Sequence, residues 1–405
     1  MNPIKNSIYR TFIASALSCL LLVGNGCFSQ TFPVKGSSAF KKTRLTADFL
    51  SEGVAVGDVN KDGKTDIIAG YFWFEAPKWT RHEIAPSKIF DPRKEYSNSF
   101  LNVGMDVNLD GWTDLVLIDY PGTPAFWFEN PKNQPGHWKK NVIGDSVGIA
   151  NESPSFVDVD GDGRLDIICG DYKNKQMVWL QAPTKNGQTE WTRYPISAEN
   201  SPGGDRFSHG LGYGDINKDG KKDVILTAGW LQNPGDAKQP NWTFHPGNLG
   251  EPCSHMYALD VNADGRNDVV SASAHKLGIW WYEHLVDTPG KINWKRHLIS
   301  EAVSQTHASI MTDINGDDKP DFVTGKRFLA HHDNVDPGTY DPSLLIWFES
   351  TPGKAPYWKM HEIDNDSGAG LNIVAEDMNK DGLIDIVISN KKGVFLFENR
   401  IRQKR

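Results

Sequence analysis

One nine-residue pattern constrains this chain more than any other feature: Asp58-Val59-Asn60-Lys61-Asp62-Gly63-Lys64-Thr65-Asp66, which restarts at Asp106, Asp158, Asp215, Asp260, Asp313 and Asp377. Self-similarity of this kind marks an array of repeated structural units rather than a string of unrelated domains, and it overrides a domain count drawn from the length of 405 residues. Oxygen-bearing side chains fill the first, third, fifth and ninth positions of every copy. They are Asp58, Asn60, Asp62 and Asp66; Asp106, Asn108, Asp110 and Asp114; Asp158, Asp160, Asp162 and Asp166; Asp215, Asn217, Asp219 and Asp223; Asp260, Asn262, Asp264 and Asp268; Asp313, Asn315, Asp317 and Asp321; and Asp377, Asn379, Asp381 and Asp385. The sixth position is Gly except in the sixth copy, where Asp318 stands, so the turn there is the least certain.

Oxygens gathered on a sharp turn suit a hard cation, and at least three carboxylates in a flexible loop favour Ca2+ over the stricter octahedron of Mg2+. A polar turn of Asp, Asn and Gly is the plain alternative for a single copy. Seven filled copies leave that alternative little room. An EF-hand loop is excluded because its twelfth position needs a bidentate Glu, whereas Ala69, Leu117 and Cys169 stand there and the flanks are rich in β-formers. The expectation is therefore up to seven structural Ca2+ ions.

Each repeat also carries four short β-type runs. In the first, Val54-Ala55-Val56-Gly57 enters the loop, Ile67-Ile68-Ala69 leaves it, Tyr71-Phe72-Trp73-Phe74-Glu75 follows and Trp79-Thr80-Arg81-His82-Glu83-Ile84 closes. Four short strands per repeat are the composition of a propeller blade. The seventh repeat lacks a fourth run, and Phe40-Lys41-Lys42-Thr43-Arg44-Leu45 at the other end of the chain has the pattern of the missing piece. Of the 14 Trp residues, 13 fall in the third and fourth runs, which assigns them to packing between blades. Loop and strand pattern together resemble the FG-GAP or VCBS repeat of integrin-α-type propellers. That resemblance implies an all-β, seven-bladed β-propeller with four-stranded blades, a calcium loop between the first two strands of each, and a ring closed by the N-terminal strand.

Residues 1–30 read as an export signal, with basic Lys5 and Arg10, an apolar run from Thr11 to Val23 and then Gly24-Asn25-Gly26-Cys27. The apolar core is too short to span a membrane. Cys27 is a candidate lipid acceptor, and cleavage near Gln30 is the soluble alternative; residues 31–405 are then a single propeller domain. Secretion, a periplasmic location or lipid anchoring at the envelope all fit loops working at extracellular calcium. The net charge of −8, concentrated in the loops, argues against a nucleic-acid partner. Beyond the leader only Cys169 and Cys253 remain, so a disulfide is not the staple of this fold.

The chemistry-bearing residues are expected at the start of the first strands, on the face opposite the loops. Ser208-His209, Ser254-His255 and Thr306-His307 open the fourth, fifth and sixth blades. His255 lies five residues before its Asp, the other two six, so strand parity misplaces it unless a bulge intervenes. Ends of second strands add Asp119-Tyr120, Asp171-Tyr172, Trp230, His275 and Lys326-Arg327 to this mouth, and the long insert Lys326 to Pro342 adds His331 and His332. Three imidazoles suit Zn2+ or a similar divalent metal with open positions; the metal-free alternative uses His as a base and Lys326 or Arg327 to hold a carbonyl or anion. The candidate catalytic set is His209, His255, His307, His275, Lys326, Arg327 and Tyr172.

The Ser-His strand starts, Gly325-Lys326-Arg327-Phe328 and the His-containing insert also resemble the propeller part of aldos-2-ulose dehydratase and related exported bacterial proteins. This implies water elimination from a keto- or anhydro-sugar, a carbon-oxygen lyase reaction on a carbohydrate. The fungal enzyme's cupin domains have no counterpart here. The other class is a non-catalytic adhesion or scaffold module of the integrin-α type, with an extracellular ligand as partner.

Overall fold

The computed structural model describes residues 39–144, 147–253, 255–288, 291–331 and 336–401. The leader with Cys27, as well as Ser254 and His332, lie outside them. Among the described residues there are 28 β-strands and no helix, hence none long and apolar enough to cross a membrane.

Each repeat folds as the alternation of its side chains requires. In the first, Ala55–Gly57, Asp66–Ala69, Phe72–Glu75 and Thr80–Glu83 pair antiparallel in chain order, with Ala55 opposite Ile68 and Ile68 opposite Trp73. The second strand of each unit is buried from end to end, as in Asp66–Ala69, Asp114–Ile118 and Asp321–Gly325, which explains its continuous apolar run. Trp127 and Trp179 are fully buried in the third strands, so the Trp pattern is packing. Cys169 and Cys253 are buried free thiols. The N-terminal strand Phe40–Thr46 pairs antiparallel with Gly393–Asn399, Phe40 opposite Asn399, and completes a four-stranded sheet with Val374–Glu376 and Asp385–Asn390.

The expectation of seven separate blades is corrected. Five four-stranded sheets stand alone, and the remaining eight strands form one sheet in which Leu211–Gly214 and His255–Leu259 pair in parallel, Leu211 opposite His255 and Gly212 opposite Met256. Gly212 is the physical reason. A Cβ there would lie 2.1 Å from the Met256 carbonyl oxygen, so only a residue without one lets the two backbones meet. Gly212→Ala should therefore force the strands apart and cost about 1–3 kcal/mol of stability. Chemical denaturation checks this, and an unchanged midpoint would contradict it. At the other side of the ring, the first and last repeats meet where Leu371 N donates to Glu52 O at 2.8 Å and Asn372 exchanges two hydrogen bonds with the Val54 backbone.

All seven Asp-rich loops share one construction. Oδ1 and Oδ2 of Asp58 accept the amides of Asp62 and Gly63 at 3.0 and 2.9 Å, and Asn60 and Asp62 accept amides two residues on. The ninth-position Asp is buried, and its two oxygens accept one amide from the loop and one from the end of the third strand: Val59 and Ala76 for Asp66, Val159 and Ala182 for Asp166, Ile314 and Ser350 for Asp321. The sixth position needs a left-handed backbone, and Asp318 adopts it with φ 62°, so the departure from Gly is accommodated. A regularity not anticipated is that the fourth position is left-handed too, at Lys61, Leu109, Lys218, Ala263 and Lys380.

Candidate functional site

The starts of the first strands do converge. Asn151 and Ser208 form a parallel bridge, the Ser208 hydroxyl donates to Gly203 O and accepts from Asn151 Nδ2, and this sets Glu152 beside His209. Two repeats on, the Thr306 hydroxyl and amide both donate to Ser273 O, at 3.0 and 3.1 Å, which places His307 beside His275. In these two pairs the hydroxyl thus ties the strand start to its neighbour while the imidazole turns inward.

Ligating nitrogens of His209, His275 and His307 lie within 4.8 Å of one another. His275 Nε2 and His209 Nε2 are 3.0 Å apart, one as N–H donor and the other as acceptor, and the rings of His209 and His307 meet edge to face at 5.0 Å. His307 Nε2 donates to Glu152 Oε2 at 3.1 Å, and His209 Nε2 lies 3.7 Å from the same oxygen. Burial would raise the Glu152 carboxyl, but the hydrogen bonds of His209 and His307 outweigh it and hold the group well below the usual range. Burial pushes His307 down to about 3 and His275 to about 2, the other imidazoles adding to the effect in His275. Neutral imidazoles beside an ionised carboxylate are the protonation state that a divalent metal requires. The buried Nδ1 atoms of His275 and His307 have no partner. Three nitrogens form a donor set suited to Zn2+ or another divalent first-row metal, with the Glu152 carboxylate beside them.

Glu152, His209 and His275 line a cavity of about 290 Å3 walled by Tyr96, Phe100, Tyr120 and Phe207, with Arg327 and His331 at its edge, while His307 lies fully buried behind them. Arg327 is buried 3.7 Å from Glu52 Oε2. His331 stacks on His275 at 4.9 Å and its Nδ1 meets Asp336 Oδ2 at 2.7 Å. Lys391 Nζ donates to Leu329 O and lies 4.5 Å over the Tyr96 ring, and burial pushes it down to about 8. A larger groove of about 560 Å3 runs between the outer strands of the first two blades, but its titratable groups satisfy one another: His82 stacks on Trp73 and pairs with Glu75. The smaller cavity is the one with convergent chemistry.

Of the expected set, His209, His275 and His307 come together and Arg327 joins them. His255 does not: it starts its strand pairing beside Leu211, its Nδ1 is buried without a partner, and burial pushes it down to about 4. Its spacing of five rather than six residues turns the ring off the cluster. Lys326 is buried with Nζ donating to Arg327 O and Thr339 O, away from the cavity, and burial lowers it. Tyr172 is exposed outside the cavity. Glu152 was missed, although the signal was present: six residues before the first loop Asp stand Glu52, Phe100, Glu152, His209 and His307, and all five side chains belong to this mouth.

A ring of small antiparallel four-stranded units with its polar cluster at the inner strand starts defines a β-propeller. Three stretches, residues 106–169, 158–226 and 260–324, match the model of the FG-GAP-like repeat, and the chain is an FG-GAP repeat β-propeller. No curated protein sequence matches it. Among solved structures it is similar to a lectin of Agrocybe aegerita that recognises non-reducing terminal N-acetylglucosamine, at 16% identity and a TM-score of 0.46 over 81% of each chain. It is also similar to the Bacillus licheniformis rhamnogalacturonan lyase PL11, at 12% identity and a TM-score of 0.45 over 90% of this chain and 76% of that one. The exotype rhamnogalacturonan lyase YesX gives 11% identity and a TM-score of 0.46 over 90% of this chain and 73% of that one.

Proposed function

We propose that this is an exported propeller whose Asp-rich loops hold calcium and whose mouth binds a carbohydrate at a divalent-metal centre and eliminates water from a keto- or anhydro-sugar. The observation that carries the reading is the convergence of His209, His275 and His307 with the Glu152 carboxylate at one aromatic-walled cavity, which Glu152, His209 and His275 line. The calcium fit rests on the loops: in the third, carboxylate oxygens of Asp158, Asp160 and Asp166 already lie within 4.8 Å of one another, and an oxygen that accepts one amide keeps a second lone pair. Pairing of Phe40–Thr46 into the last sheet supports the N-terminal strand as the ring's closure.

His209, His275 and His307 would hold the metal at the mouth, where it supplies a Lewis acid for the substrate carbonyl. Glu152 takes the proton from the carbon next to that carbonyl, the C–H pair becomes the new double bond, and the C–O bond beyond it breaks as the hydroxyl leaves as water with the proton that Glu152 returns. Arg327 presents guanidinium N–H groups to the oxygen on which charge develops. Tyr96, Phe100, Tyr120 and Phe207 offer apolar faces to the sugar ring and exclude water. These aromatic walls also favour a second reading, a non-catalytic carbohydrate-binding or adhesion module.

Absorbance of the unsaturated product, followed over a panel of keto- and anhydro-sugars with calorimetry alongside, decides between the two. The lyase reading expects a product that accumulates only with protein and sugar together. Binding heat without product would establish the non-catalytic module, and neither signal with any sugar would overturn both.

A further inference from the structure

The cavity wall continues outwards into an exposed rim, and the proposed chemistry leaves Tyr172 and Arg206 on it without a role. Tyr120, Phe207 and Tyr172 are 36%, 37% and 43% exposed, large for aromatic side chains on a folded surface. All three surround one guanidinium: Arg206 lies 5.3 Å from the Tyr120 ring centre, 4.9 Å from that of Phe207 and 5.8 Å from that of Tyr172, and its Nε donates to Pro121 O at 2.7 Å. Tyr120 meets Phe207 edge to face at 5.4 Å and also meets Phe100 inside the cavity at 5.4 Å, so the rim continues the cavity wall outwards.

The Phe207 backbone is a second, independent observation. It has φ 62°, a left-handed conformation that costs a bulky residue free energy and that Gly or Asn adopts more easily. Burial does not offset that cost, because more than a third of the residue faces solvent. Strain of this kind persists where a side chain must be presented.

We propose that this rim is an oligosaccharide subsite, on which the sugar unit next to the one in the cavity stacks on Tyr172 and Phe207 while Arg206 donates to its hydroxyls. The inference rests on the carbohydrate reading of the mouth and narrows its substrate from a free monosaccharide to a unit within or at the end of a chain. A pyranose suits the patch, since it offers an apolar C–H face to a ring and hydroxyls to the guanidinium at its edge. A protein partner does not, since a stable protein interface buries on the order of 800 Å2 per partner and these few side chains are far too small an anchor for one.

The test is a glycan array on which monosaccharides and the matched di- and tetrasaccharides are displayed, probed with the full protein. The wild type should retain at least one oligosaccharide about tenfold more strongly than its own monosaccharide, a difference of about 1.4 kcal/mol. Tyr172→Ala, outside the cavity, should erase most of that ratio while leaving monosaccharide binding and, within about 3 °C, the melting temperature unchanged. Phe207→Gly should lower the ratio too, and because Phe207 also walls the cavity it is read by melting temperature: glycine relieves the left-handed backbone, so a fold that merely needed the residue would lose stability, whereas one that presents it keeps its melting temperature. Equal retention of matched short and long sugars, or an undiminished ratio in both variants, overturns the subsite and leaves the cavity reading standing. Failure to retain any sugar of any length overturns both.

Discussion

Glu152→Gln is expected to lower turnover of the sugar substrate at least 100-fold while shifting the melting temperature by no more than a few degrees. The side chain keeps its shape and its capacity to accept from His307, at 3.1 Å in the wild type, but loses the negative charge on which both proton abstraction and the neutralisation of a cation depend. General-base catalysis contributes about 10²–10⁴ to a rate, which sets the size of the loss. A carboxylate present only to satisfy His209 and His307 would give the same stability change without that loss. Steady-state kinetics on the variant, with circular dichroism on the same sample, reads both effects. Full activity in Glu152→Gln would remove the base from the account.

Chelation is expected to produce the largest change in stability. Each of the seven loops gathers the carboxylates of its first, fifth and ninth residues, and a cation that binds only the folded chain stabilises it by RT ln(1 + [L]/Kd), about 2.7 kcal/mol per site at a hundredfold excess over Kd. Several such sites together should separate the melting curves in EDTA and in millimolar Ca2+ by at least about 10 °C. Asp162→Ala should reduce the separation, because it removes a fifth-position oxygen from the third loop, whose Asp158, Asp160 and Asp166 oxygens already converge. Replacing an exposed Asp outside the loops, such as Asp205, should not. Superimposable curves would show that the loops are held by their own backbone amides and need no ion.

The repeats were legible in the sequence because everything that makes them is local. Asp at the first and ninth positions of each loop captures amides within the loop itself or at the end of the same blade's third strand, so one copy predicts the others, and even Asp318 falls into the glycine conformation. The joined eight-stranded sheet was not legible, because it depends on how closely the Gly212 and Met256 backbones approach across two repeats.

At the mouth the outcome divides by strand parity. Neighbouring residues at a strand end point to opposite sides, so Arg327 reaches the cavity while Lys326 turns back to bond carbonyls, and the shift of one residue at His255 takes that ring out of the cluster. His275, carried by the end of a second strand, fills the third place. Glu152 does not stand out in the sequence because the hydroxyl-His pairs are conspicuous as residue types, whereas the ring brings Glu152, His209 and His307 together by one register, six residues before the first loop Asp.

The central claim, a divalent-metal centre made by His209, His275 and His307, is tested most directly by elemental analysis of the purified protein after dialysis against a limiting chelator. The account predicts about one equivalent of Zn2+ or another first-row divalent metal in addition to calcium, lost from a His209→Ala, His275→Ala double variant whose calcium content and melting temperature are retained. Calcium alone in the wild type, or an equal second-metal content in the double variant, would contradict it.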